Sequence, residues 1–204
     1  IQDLLPGILK ESKKVIFNGN GYSDEWQQEA ARRGLPNLKN TVDALPQMAS
    51  KEAVALFDKY KVLNEREVHA RYEIMVETYN KTINVEAQLT VLMANRYVLP
   101  AALEYAKQVG QTVAAVKAGG GKTVEGKKLL DRVTKLTDEF KKRTDKLQAS
   151  LNHSSASAEK HAKHFRDAVI PAMIALRDTS DALEATIPHE LWPLPTYREM
   201  LFVK

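Results

Sequence analysis

Apolar positions recur at spacings of three and four through most of this chain, the period of helices that each bury one stripe. Tyr72, Val76, Tyr79 and Ile83 open the pattern, and Leu89, Met93 and Tyr97 continue it. Asn64, with Glu67 three residues on, makes a capping-box start. No glycine follows until Gly110, and the run Gly119-Gly120-Gly121 ends the segment. One helix near 65–118 is therefore predicted. Pro100 inside it lacks the amide proton that would bond the carbonyl of Arg96, so a bend is expected there. A second helix near 123–152 carries Leu129, Val133, Leu136, Phe140, Leu147 and Leu151, with Thr144 in the one gap of a coiled-coil-type seam. After a polar turn at 152–157, a third helix near 158–187 puts Phe165, Val169, Ala172, Leu176, Leu183 and Ile187 on one face. Short connections make consecutive helices antiparallel neighbours. The predicted fold class is all-α: an antiparallel three-helix bundle of long helices, one Pro-kinked and over-long, with short helices and loops at the N-terminal end.

The elements before residue 64 are shorter. Ser23 is a good N-cap for a helix that stops at Gly34, with Asp24 and Glu25 at its positive end. Ser50 opens another through Tyr60. Between them, 35–48 holds Pro36, Asn37, Asn40 and Pro46 and reads as a loop. Residues 15–17 suit a short strand or extended piece that runs into a Gly19/Gly21 turn. The lower half of the first long helix, near 65–87, outruns its two partners and is expected to cover these elements. The chain thus divides into 1–63, a long-helix bundle over 64–187, and an extended, Pro-containing tail over 188–204. Pro188, Pro193 and Pro195 forbid further helix in that tail. Leu191, Trp192, Leu194, Met200, Leu201 and Phe202 are too apolar to stand in water, and are expected to return to the elements near Phe17, Trp26 and Phe57. The near-copies Val98-Leu-Pro-Ala101 and Val169-Ile-Pro-Ala172 predict paired bends at one level of the bundle.

Charge adds one feature. The net charge of +4 falls within 122–153, which holds nine basic residues against five acidic. Asp131, Asp138, Glu139 and Asp145 are interspersed among the lysines, and no aromatic alternates with them, a pattern of a solvated face rather than of nucleic-acid or membrane contact. There is no cysteine, which removes disulfides and thiolate chemistry and is compatible with a reducing compartment. No run is long and apolar enough for a membrane span, and no signal-like segment opens the chain, so the cytoplasm is the expectation. A start at Ile1 rather than Met predicts a fragment of something longer.

Candidate chemistry is sparse. Gly121-Lys122-Thr123 looks like the end of a phosphate loop, but Val116 stands where the motif needs its first glycine, and a helix precedes it instead of a strand. Gly19-Asn20-Gly21 fails as a dinucleotide fingerprint because Asp24 occupies the third glycine position; a tight turn with positive φ is the simpler expectation. His161 and His164 share a helix face at metal-ligand spacing without a third ligand. His189-Glu190 begins like a zinc-protease motif, but Pro193 replaces its second histidine. No catalytic, cofactor-binding or metal-binding residue is assigned.

The ordered blocks Lys14-Val-Ile-Phe-Asn-Gly-Asn-Gly-Tyr-Ser-Asp-Glu-Trp26, Glu29-Ala-Ala-Arg-Arg-Gly-Leu-Pro-Asn-Leu38 and Ala53-Val-Ala-Leu-Phe-Asp-Lys-Tyr60 resemble the C-terminal part of type III glutamine synthetases. So do Arg71-Tyr-Glu-Ile74, Lys81-Thr-Ile-Asn-Val-Glu86 and Leu194-Pro-Thr-Tyr-Arg-Glu-Met-Leu-Phe202, while 122–160 has only generic bundle composition. The resemblance implies a parent enzyme that ligates ammonia to glutamate with ATP and a divalent metal, Mg or Mn, through a γ-glutamyl phosphate. Its catalytic residues lie upstream and none of their motifs occurs here, so this segment alone is expected to be inactive. The implied partners are the upstream catalytic domain of its own chain and, from the family's stacked rings, further copies. An appendage of this kind would serve assembly or shape the ring. A reading of a different class is a free-standing helical interaction module that binds an acidic partner or a membrane surface through helix 123–152. The full-length chain distinguishes the two.

Overall fold

A computed structural model describes residues 2–155, 157–195 and 197–201, with backbone alone at Tyr197 and Arg198. Its helices are α1 (Leu5–Ser12), α2 (Asp24–Arg32), α3 (Thr41–Met48), α4 (Lys51–Lys59), α5 (Glu65–Met93), α6 (Leu99–Ala118), α7 (Val124–Ser150), α8 (Ala158–His164), α9 (Ile170–Glu184) and α10 (Tyr197–Leu201). π-helical segments, Ala94–Val98 and Phe165–Val169, join α5 to α6 and α8 to α9 without a break in helical dihedrals. The described residues contain no strand, so the chain is all-α. Three long rods result: α5–α6, α7 and α8–α9. The middle rod packs against both others, and α5 also touches α9.

Local capping chemistry sets most of the ends. The Asn64 side chain accepts from the Glu67 amide at 3.0 Å, and the Glu67 carboxylate accepts from the Asn64 amide at 2.8 Å, closing the capping box. Ser23 and Ser50 cap α2 and α4 as their positions predict. The stretch 35–48 is not all loop. Asn40 caps α3 by accepting from the Asp43 amide at 3.0 Å, and Pro46 is held inside the helix. A short helix whose buried residue is Val42 gives too few periodic positions to outweigh two prolines in a sequence reading. Residues 16 and 17 form no strand. Gly19 and Gly21 do not use positive φ, which among the described glycines belongs to Gly34 and Gly120. Gly19 serves close approach instead: a Cβ there would lie 2.7 Å from the Phe17 ring, which stacks on Trp26 with centroids 4.7 Å apart.

Both rod prolines follow a π segment by two residues. The Leu99 amide donates to the Ala94 carbonyl, and the Ile170 amide to that of Phe165. This i→i−5 register widens the turn beside which a pyrrolidine ring would otherwise crowd a carbonyl. Both segments lie against α7.

The core runs through Ala87, Val91, Ala94, Val98, Ala102, Phe140, Leu147, Phe165, Val169, Leu176 and Leu183. On the first rod this differs from the expected continuation. Leu89 and Tyr97 are exposed, Met93 is half-buried, and the buried seam consists of alanines and valines. Small side chains let the rods approach closely, and a second apolar stripe on the opposite face misleads the period count. Thr144 does fill the gap in α7, its hydroxyl donating to the Phe140 carbonyl at 2.8 Å; Thr137 does the same toward Val133. A buried hydroxyl spent on the preceding turn leaves no unmet polar group.

Below the bundle, α3 and α4 pack on α5, with Val42 and Leu45 against Tyr72 and Val76. By contrast, α1 and α2 bury no residue, so the expected cover reaches only half of the short elements. Arg33 ties that pair together. One of its nitrogens donates to the carbonyls of Lys13, Lys14 and Ile16, another to Glu29 at 2.6 Å, and the guanidinium lies over Trp26.

The tail corrects a further expectation. His189–Leu191 forms a 3-10 turn against α6, and Trp192 enters the main core with Leu191 and Leu194 packed beside it. The nearest apolar surface after α9 is the bundle end, and the chain takes it rather than returning to Phe17 and Trp26. Nor is the tail extended throughout, since 197–201 is helical, with Met200 and Leu201 exposed. Phe202 lies outside the described residues.

Candidate functional surface

The motifs with a chemical look lie in turns and helix ends. Gly121-Lys122-Thr123 is the turn between α6 and α7: Gly120 takes φ +79°, and a Cβ on Gly121 would meet Val116 at 2.9 Å. Thr123 caps α7, its hydroxyl accepting from the Gly126 amide at 3.0 Å. The Asn20 side chain accepts from the Tyr22 amide at 3.0 Å, an Asx turn that leads into α2. His189-Glu190 sits in the 3-10 turn against α6.

His161 and His164 are joined by His153, which sequence spacing could not connect to them. His153 stacks on His164 with centroids 4.0 Å apart and meets His161 edge-on at 5.6 Å. The Nε2 of His164 donates to the carbonyl of Ser150 at 2.8 Å, satisfying an orphan acceptor in the last turn of α7. Burial, then the neighbouring His153 and His164, hold the His161 imidazole below its ordinary pKa. The cluster is a cap on the α7–α8 turn. No three His, Asp or Glu side chains among the described residues converge as a metal site. The residues here do not fit a divalent ion.

A cavity of 170 Å³ lies between α3, α5 and α8, walled by Val42, Leu45, Val76 and Ala162. At its rim the Tyr72 hydroxyl donates to Glu159 Oε1 at 2.5 Å. Burial and then this carboxylate push the Tyr72 phenol up to about 12. It therefore stays protonated at neutral pH and acts as a tether, not a base. Asn80 Nδ2 donates to the Ala158 carbonyl at 2.9 Å, a second tie between α5 and α8. These partners are 78 and 87 residues apart in sequence, and no local pattern announces them.

The basic helix is laced to itself in part. Lys128 pairs with Glu125, Lys141 with Asp145, and Arg143 with Glu139, while Arg143 also donates to the Ala175 carbonyl. Among the described helices none is long and apolar enough to cross a membrane. Apolar side chains also stand open on the surface: Leu5, Ile8 and Leu9 on α1, and Ile74, Val85, Leu89 and Leu92 on α5 are exposed.

Comparison with known proteins supplies a family. The family described as glutamine synthetase C-terminal domain matches residues 1–117. A glutamine synthetase of Butyrivibrio fibrisolvens is 33% identical over 206 residues, covering 99% of this chain and 29% of that protein. The type-3 glutamine synthetase of Dictyostelium discoideum is 30% identical, covering 98% of this chain and 28% of the relative. A Bacteroides fragilis glutamine synthetase is also 30% identical, covering 97% and 29%. The chain thus spans less than a third of the length of the relatives it matches. An alignment that runs through the short elements and the bundle alike establishes that this chain belongs to the glutamine synthetase C-terminal domain family.

Proposed function

We propose that these residues are a non-catalytic C-terminal segment of a type III glutamine synthetase that works in the cytoplasm and serves the assembly or shape of the ring of catalytic units. The observation that carries the reading is the near-complete coverage of this chain against under a third of relatives named as glutamine synthetases, one of them type-3. The histidine cluster caps a helix, and the glycine turn joins two rods. An all-helical body with exposed apolar rows has the means to hold other protein surfaces. In this reading ATP and Mg or Mn belong to the upstream catalytic region, as do glutamate and ammonia.

Two measurements test it. The isolated chain, mixed with glutamate, ammonia, ATP and Mg or Mn, is expected to form no glutamine, and a nucleotide titration by calorimetry is expected to show no micromolar site. Turnover or a micromolar site would overturn the non-catalytic assignment. Removal of these residues from the longer enzyme is expected to change the mass of the assembly in sedimentation; an unchanged mass, with unchanged activity, would remove the assembly role.

A further inference from the structure

The helix α5 carries two opposed rows. One is buried and runs through Val68, Tyr72, Val76, Ala87 and Val91. The other runs through Ile74, Thr78, Lys81, Val85, Leu89 and Leu92, with Arg96 one turn on, at steps of three and four. Every member of this second row is exposed, Ile74 by 64%, Val85 by 63%, Leu89 by 52% and Leu92 by 42%. Single exposed leucines need no explanation, but a row at coiled-coil spacing is a seam that fits another surface. From Ile74 to Leu92 it extends about 27 Å at the helical rise. Toward its C-terminal end α5 presents Leu89 and Leu92 on this face, while Ala87 and Val91 fill the bundle side.

The charges on the row decide what covers it. A parallel pairing with a second copy sets Lys81 against Lys81 and Arg96 against Arg96. An antiparallel pairing centred on the apolar run Val85–Leu89–Leu92 sets Lys81 of each copy against Arg96 of the other. Like charges facing one another across a desolvated seam repel, so self-pairing is opposed in both directions. Among the described residues Arg96 has no carboxylate partner, and Lys81 has only the exposed Glu77 at 3.2 Å. About seven-tenths of each relative's length lies outside the aligned stretch, so a large body on the same polypeptide is at hand.

We propose that this row docks on the upstream region of the same enzyme, on an apolar strip flanked by carboxylates that meet Lys81 and Arg96. The inference rests on the reading that the chain is part of a longer glutamine synthetase, and it names the face by which the appendage is held. The row Leu5, Ile8 and Leu9, on a helix that buries no residue, fits the same large partner.

The chain contains no cysteine, so a thiol introduced at one site reports that site alone. Leu89→Cys is placed on the row, and Glu125→Cys, at a side chain 82% exposed, serves as the control. In the 204-residue chain both should react with a maleimide at similar rates, and sedimentation should give a monomer. In the full-length enzyme the Leu89→Cys thiol should react at least about tenfold more slowly, as a covered site does, with the control unchanged. Its peptide is read by mass spectrometry, so native cysteines upstream do not interfere. A short bifunctional reagent on that thiol should yield adducts to upstream residues, and Arg96→Glu should restore its reactivity. Equal labelling in the full-length enzyme, adducts to a second copy of the bundle, or a protected dimer of the short chain would each overturn the proposal. If no glutamine synthetase region precedes these residues in the gene, the broader functional reading fails instead, a result told apart by sequencing alone.

Discussion

Gly126 sits in the first turn of α7, where helix propensity would favour alanine by about 1 kcal/mol. A Cβ there would lie 2.5 Å from the Thr123 hydroxyl that caps the helix and 3.2 Å from Val113 on α6. The hydroxyl would have to turn away, and a lost cap costs about 0.5–2 kcal/mol. Gly126→Ala is therefore expected to bring no gain, or a net loss. At Gly110, in α6, a Cβ meets only Leu130 at an ordinary 3.8 Å, so Gly110→Ala is expected to stabilise by up to about 1 kcal/mol. Urea denaturation of both variants decides; a gain at Gly126 would show that cap and contact are unimportant. Tyr72 makes a pH prediction at the same scale. Its phenol is raised from 10.0 to about 12 by burial and by Glu159. The unfolded chain releases that proton first, so the stability it contributes is complete below pH 10 and is lost as pH rises through about 12. Tyr72→Phe should flatten this alkaline loss, at a cost near neutrality of about 1 kcal/mol for the bond to Glu159. An unaltered slope in the variant would assign the loss to other groups.

At the scale of elements, the π segments are single-residue insertions that let two long helices pass a proline. Residues after each insertion are rotated relative to those before it, and the buried positions follow that rotation from Val91 and Ala94 to Val98 and Ala102. Removing the insertion and its cause together should leave a foldable rod. Deletion of Tyr97 combined with Pro100→Ala is expected to retain cooperative melting followed by circular dichroism. Deletion of Val85, inside regular α-helix, turns the remaining rod by about 100° and should abolish it. Equal damage from both deletions would contradict this account. The helices themselves are legible in sequence, because capping residues such as Asn64, Ser23 and Ser50 act within one turn. α3 is not, since its Asn40 cap is local but Pro46 outweighs it in any propensity count.

At the scale of the whole molecule, the tail closes the bundle. Trp192 is 8% exposed and joins the core formed by Leu176 and Leu183. Trp192→Ala is expected to cost roughly 3–5 kcal/mol, the range for a large buried aromatic, measured by thermal or urea denaturation. A cost near zero would mean that the tail only rests on the surface. The indole nitrogen is buried without a partner among the described residues, which limits what the side chain contributes through hydrogen bonding and leaves apolar contact as its role.

Composition, capping signals and the three-four period by themselves determined an all-helical chain with three long rods, and the ordered blocks near residues 14–38 and 53–60 pointed to its family. These features depend on neighbours a few residues apart, where chain geometry leaves little choice. Which face of α5 enters the core was a tertiary decision. Both faces carry apolar side chains, and beside α7 the smaller ones, Ala87 and Val91 with Ala94 and Val98 beyond, enter the core while Leu89 and Leu92 stay exposed. The pairing of Tyr72 with Glu159, the gathering of His153 with His161 and His164, and the docking of Trp192 were settled the same way. Each depends on where distant segments meet, and no local spacing encodes that.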